Sequence, residues 1–134
     1  NIIYNKDWSS GISKSIILAI SSLPDNIDGN MFVLGDMPLI TVKTLNKLKS
    51  AFKMNNGEKI IYAEYLGSQA NPVIFPKKYF RQILLLKSDS GCKDIISQNK
   101  NNAIGVNINS SEVIFDCDTK DDYADLVSNI IINV

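Results

Sequence analysis

Two acidic clusters in this sequence have the residue types and surroundings to hold a hard cation against a phosphate. The first is Asp36, in Leu34-Gly35-Asp36-Met37-Pro38, directly after the apolar run Met31-Phe32-Val33-Leu34. In open α/β sheets ligands bind beyond the carboxyl ends of the strands, so an ionisable group at that point is well placed for chemistry. Gly35 lets a ligand come close to the turn, and Pro38 restricts Met37 and stiffens it, which fixes the direction of the carboxylate. Taken alone, the pattern favours the plainer reading of an aspartate that only caps a turn. The second cluster, Asp116-Cys117-Asp118, follows Val113-Ile114-Phe115, and alternation along an extended chain would point Asp116 and Asp118 the same way. Carboxylates gathered near Asp36 repel one another unless a cation lies between them. Magnesium takes one or two protein carboxylates together with substrate phosphates. The plainer alternative for Asp118 is an anion at the N-terminus of the following helix.

The rest of the composition narrows the chemistry. The chain has 134 residues and no histidine, so a histidine base and Cys/His zinc sites are excluded. Its two cysteines, Cys92 and Cys117, fall far short of the density of small secreted folds, and a reducing cytoplasm is the expected compartment. Both cysteines are expected to be unreactive small side chains, the alternative being a lowered pKa for Cys92 near a predicted helix start. Fourteen basic and fourteen acidic side chains balance, so no overall field favours nucleic acid or an anionic membrane. No apolar run reaches the ~20 residues of a membrane span, and the start is neither a signal peptide nor a methionine, which suggests a missing N-terminal portion.

The elements that must position these residues follow from periodicity. Ile12, Ile16, Ala19, Ile20 and Leu23 form the stripe of a helix closed by Pro24. Met31 to Leu34 has the all-apolar character of a strand buried on both faces. Thr41 caps a helix with Leu45, Leu48 and Phe52 inward and lysines at 43, 47, 49 and 53 outward. Lys59 to Ala63 and Val73 to Phe75 read as strands, Pro76 can open a helix with Phe80, Ile83 and Leu84, and Gly91 precedes a short helix with Ile95 and Ile96. Ala103 to Ile108 and Val113 to Phe115 are expected as two strands joined by the turn Asn109-Ser110-Ser111, a locally antiparallel pair. Thr119 with Asp122 three residues on has the form of a capping box ahead of Tyr123, Leu126 and Val127. Trp8, Phe32, Phe52, Phe75 and Phe80 are expected to pack in the core or at its rim. Strands alternating with helices predict an α/β domain with a largely parallel sheet.

At this point the residues resemble a family. Gly11-Ile12-Ser13-Lys14-Ser15, Leu34-Gly35-Asp36-Met37-Pro38-Leu39-Ile40, Asn71-Pro72-Val73-Ile74-Phe75, Ser88-Asp89-Ser90-Gly91 and the run from Asp116 to Tyr123 occur in the order seen in molybdopterin nucleotidyltransferases. The molybdenum cofactor cytidylyltransferase branch is the nearest match. The resemblance implies a Rossmann-like, three-layer fold of the nucleotide-diphospho-sugar transferase type with a mostly parallel sheet. It implies an enzyme that moves CMP from CTP, or GMP from GTP, onto molybdopterin with magnesium as cofactor, releasing pyrophosphate.

Residue by residue, Asp36 corresponds to the family's magnesium-binding catalytic aspartate and Asp118 to the second metal ligand. Gly11, Ser13 and Ser15, with Gly35, match the nucleotide side, and Asn71, Pro72, Ser90 and Gly91 match the acceptor side. Where the family usually has glycine before the asparagine this chain has Ala70, and where it has proline after the threonine this chain has Lys120. The family's glycine-rich loop, which opens the first strand and cradles the triphosphate, is absent. Residues 1–134 are therefore expected to be the C-terminal two-thirds of one nucleotidyltransferase domain, inactive without the N-terminal segment. A sheet lacking that strand exposes an apolar edge, so self-association is expected, with a molybdoenzyme or its chaperone as a further partner. The rivals are a nucleotidyltransferase for another small phosphorylated acceptor, and a non-catalytic module for molybdoenzyme maturation with the same fold.

Overall fold

Helix α1, Ile12–Ser21, forms on the stripe expected for it, and the chain leaves it before Pro24. This computed structural model describes residues 2–87 and 91–132, with side chains to residue 128. Strand β1 spans Gly29–Phe32, earlier than the apolar run suggests, and is half-buried along its length, while Val33 is exposed. Helix α2, Val42–Met54, starts at Thr41, whose hydroxyl oxygen accepts the Thr44 backbone N–H at 3.2 Å. Its apolar stripe points inward at Leu48, which is fully buried, and the four lysines are exposed as expected.

Strands β2, Ile60–Tyr65, and β3, Ser68–Pro76, are joined by the two-residue turn Leu66-Gly67, both at positive φ (49° and 79°). Two left-handed residues in sequence match the right-handed twist of the flanking strands, and glycine meets that requirement at little cost. This turn makes the pair antiparallel and gives β3 nine residues where the apolar pattern marked only three. After β3 come a 3-10 turn at Lys77–Tyr79, helix α3 (Phe80–Leu84) and helix α4 (Lys93–Gln98). Strand β4 is Ala103–Asn107 and helix α5 is Lys120–Ile132.

The sheet order is β1-β3-β2-β4. Strands β2 and β4 pair in parallel, and β3 runs antiparallel to both β1 and β2. The α/β class holds, and the sheet is mixed. Strands β1, β2 and β4 share one direction, so their carboxyl ends lie together along one edge, where β3 begins. The predicted second strand of a C-terminal hairpin does not form: Ser111–Val113 is a 3-10 turn. The Ser110 hydroxyl accepts the Glu112 N–H at 3.3 Å, a local capping bond that competes with a strand ladder, and β4 finds its partner in β2 instead.

Alternating residues feed two cores. Ile60, Val73 and Phe75 pack with Ile20, Ile83, Ile95 and Ile96 on the face covered by α1, α3 and α4. Ile61, Ala63 and Ile74 pack with Leu48, Ile108 and Val113 on the face covered by α2. Phe75 is fully buried, and its replacement by alanine would cost about 3–5 kcal/mol. Trp8 departs from expectation: it is 72% exposed and packs in neither core. Among the described residues, no helix is long and apolar enough to cross a membrane.

Candidate functional site

The register places a cleft at the carboxyl edge of β1. Phe32, the last residue of β1, faces Val73 of β3, so the residues before Val73 run on beside Val33, Leu34 and Gly35. Between Tyr62↔Val73 and Ala63↔Ala70 the pairing of β2 with β3 jumps, which leaves Asn71 and Pro72 bulged out of the ladder. Proline has no N–H to give a ladder, and a bulge is where a strand tolerates it. The Asn71-Pro72 bond is cis. Pro72 is fully buried, and Asn71 is left at the cleft wall.

The cleft, of about 920 Å³, lies at the upper end of the range for small-molecule sites. It gathers Ser15 from α1, Gly35 from the acidic turn, Asn71 from the bulge, Gly91 before α4 and Asp116 from the segment after β4. Gly91 is buried at φ 59°, and a Cβ there would lie 3.7 Å from Ile12 and Ile16, so this turn packs directly on α1. Ser15 and Gly35, assigned to the nucleotide, and Asn71 and Gly91, assigned to the acceptor, thus share one cavity, whereas Asp36 and Asp118 are exposed and are not among its lining residues. Gly35 differs from that turn: its φ is not left-handed, and nothing lies within 4 Å of where its Cβ would be. What Gly35 leaves is open space on the cleft side, not a conformation that only glycine can adopt. Gly11, at φ 99°, precedes α1, and Ser13 is buried and is not among the residues lining the cleft. Ser90 lies outside the described residues.

The two acidic clusters are joined through the backbone: the Cys117 N–H donates to the Asp36 carbonyl at 2.7 Å. A second tie lies behind them. Glu112 accepts from the hydroxyls of Thr41, at 3.1 Å, and Thr44, so the segment leading to Asp116 is fastened to the start of α2, five residues beyond Asp36. Asp118 sits at the mouth of α5, where its N–H and that of Thr119 donate to the Asp122 carboxylate at 3.1 and 2.8 Å. The Asp122 N–H returns to the Thr119 hydroxyl at 3.1 Å, which completes the expected capping box. Those bonds, the Thr119 hydroxyl foremost, hold the Asp122 carboxyl below its ordinary pKa.

Residues 115–118 are not extended in a ladder, so strand alternation does not orient the two aspartates, and of the pair Asp116 lines the cleft. Desolvation, then the charges of Asp36 and Asp118, raise the Asp116 pKa, while Lys93 opposes them. Asp116 therefore feels the charge of both other carboxylates. Among the described residues no group of three or more acidic or thiol side chains is assembled as a metal cage. Magnesium needs no such cage, since one or two carboxylates with substrate oxygens complete its shell, and these hard anionic donors fit it chemically. Burial pushes the thiol of Cys92, which also lines the cleft, up to about 11, in keeping with an unreactive side chain and not with a pKa lowered by the helix start. Lys93 stood outside every motif above. The sequence marks it only as a cation that follows Gly91-Cys92.

The family model described as the MobA-like NTP transferase domain matches residues 1–103. Among solved structures, the chain is similar to an Rv0371c homologue from Mycobacterium sp. strain JC1, with TM-score 0.75 and 23% identity over 90% of this chain. It is similar also to Rv0371c of Mycobacterium tuberculosis H37Rv, with TM-score 0.73 and 21% identity over 87% of this chain. A complex of that protein with manganese matches with TM-score 0.68 and 20% identity over 85% of this chain. In each case the match spans 59% of the other chain. None of the curated proteins matches.

Proposed function

The chain belongs to the MobA-like NTP transferase family, and from that we propose that it is the greater part of a magnesium-dependent nucleotidyltransferase domain that transfers CMP, or GMP, to molybdopterin. The observation that carries this reading is the single cleft in which residues from motifs around positions 15, 35, 71, 91 and 116 meet at the carboxyl edge of β1. Phosphoryl transfer asks for positioning and charge neutralisation more than for a covalent nucleophile, so a site without histidine suits it.

In this proposal an oxygen of the acceptor phosphate attacks the α-phosphorus of the nucleotide, the bond to the β-phosphate breaks, and pyrophosphate leaves. Asp36 and Asp118 would hold the magnesium, which when bound neutralises charge on the triphosphate and the departing pyrophosphate. Asp36 is oriented by the bond between its carbonyl and Cys117 and by the stiffened turn. The gap at Gly35 leaves room for a phosphate beside the Asp36 turn, and Ser15 lies along the same wall. Asn71 offers both a donor and an acceptor to the second substrate, and Phe32, Val33, Leu34 and Ile114 keep much of the wall apolar. A mycobacterial structure of the same fold that holds manganese supports a divalent cation here.

As part of the proposal, residues 1–134 form the C-terminal two-thirds of the domain, in line with the 59% of the mycobacterial chains that they span. The glycine-rich triphosphate loop then belongs to the N-terminal remainder. The setting is cytoplasmic. The test is pyrophosphate release from CTP and from GTP by the protein at the length its gene encodes, with molybdopterin and magnesium. Release that depends on molybdopterin supports the reading. Release with other phosphorylated acceptors but not with molybdopterin, or no release with any, rejects it.

A further inference from the structure

The cleft wall carries few charges of its own. Among the described residues one basic side chain, Lys93, and one acidic side chain, Asp116, line it, and Asp36 and Asp118 lie close enough to Asp116 for their charges to bear on it. Both substrates of the proposed reaction are phosphate anions, and a phosphate cannot rest against aspartates unless a cation stands between them. The triphosphate can share the cation that the carboxylates hold. The acceptor phosphate also has to come within bonding reach of the α-phosphorus, and the protein must supply positive charge for it separately.

We propose that Lys93 binds the phosphate of the acceptor, a phosphomonoester, on the cleft wall beside the carboxylates. Three observations converge on it. Lys93 is the first residue of α4, directly after the buried Gly91 turn that packs on α1. It shares the cavity with Asn71 and Gly91, two residues assigned to the acceptor. It lines the same wall as Asp116, and its charge opposes the shift that the neighbouring carboxylates impose on that aspartate. A lysine ammonium is a compact point charge with three donors, suited to a phosphate that arrives as a mobile ligand.

This inference rests on the transferase reading, and the experiment separates the two. Using the protein at the length its gene encodes, molybdopterin binding is measured at equilibrium without nucleotide for wild type, Lys93→Ala and Lys93→Arg. Steady-state KM values for molybdopterin and for the nucleotide are measured alongside. Lys93→Ala is expected to weaken acceptor binding and raise the acceptor KM by at least about tenfold, the scale of one lost charge-assisted contact. The nucleotide KM should stay within about twofold, and Lys93→Arg should recover most of the loss. Lys93 is exposed, so its variants are expected to fold, and an unchanged thermal midpoint checks this. Wild-type binding that persists unchanged in Lys93→Ala overturns the role of the lysine and leaves the transferase reading standing. A loss confined to the nucleotide KM overturns it as well, by giving Lys93 to the triphosphate. A wild type that binds no molybdopterin defeats the reading underneath, and this inference with it.

Discussion

At the residue scale, the site is a set of small decisions about where charge and space go. Gly35 is the clearest case. With open space at its Cβ position, Gly35→Ala is expected to leave stability within about 0.5 kcal/mol and to raise the nucleotide KM, because the added methyl enters the cleft. Thermal melts beside steady-state kinetics check it, and a destabilised Gly35→Ala with unchanged kinetics would show the glycine to be purely structural. Cys92 makes the opposite case. With its thiol pushed up to about 11, alkylation by iodoacetamide at pH 8 should be far slower than for a free thiol and should accelerate only as pH approaches that value. Mass mapping of rapid labelling at Cys92 at pH 8 would contradict this. Asp36 could be singled out as a candidate in the sequence because an aspartate after an apolar run is a local pattern. Lys93 could not be singled out, because what marks it is being the one cation among the described residues on a wall assembled from distant segments.

At the element scale, the acidic segments are held by helix starts. Thr41 caps α2 and also donates to Glu112, so Thr41→Ala should cost about 1 kcal/mol through the lost cap and loosen the segment that carries Asp116. Chemical denaturation gives the first quantity. At the start of α5 the sign of the pH effect follows from the lowered Asp122 pKa. The stability it contributes is present above the ordinary carboxylate pKa and is lost as pH falls through the lowered value. Acid titration of helicity should therefore show a loss that Asp122→Ala no longer displays. This capping box was readable because Thr119 and Asp122 are three residues apart. The 3-10 turn at Ser111–Val113 was not, since Val-Ile-Phe is strand-like in composition, and what prevails is the Ser110 cap and the reach of Glu112 to a helix some seventy residues earlier.

At the scale of the whole molecule, the apolar pattern revealed the α/β layering, while strand direction depended on two residues. Leu66-Gly67, both left-handed, reverse the chain and set β3 against its neighbours, and the pattern of apolar residues carries no information about such a reversal. The result matters for function, because an antiparallel β3 starts beside the carboxyl ends of β1, β2 and β4 and brings its bulge with Asn71 to the cleft. Ile61, Phe75 and Leu48, in contrast, took their places as the alternation and the helical stripe required. The central claim is that this edge of the sheet is a metal-assisted nucleotidyl transfer site with Asp36 at its centre. The most direct measurement is magnesium-dependent turnover of the nucleotide with molybdopterin by wild type and Asp36→Asn, in the protein at the length its gene encodes. The account predicts a loss of at least about a hundredfold in kcat/KM with the fold intact by circular dichroism, and turnover unchanged in Asp36→Asn would contradict it.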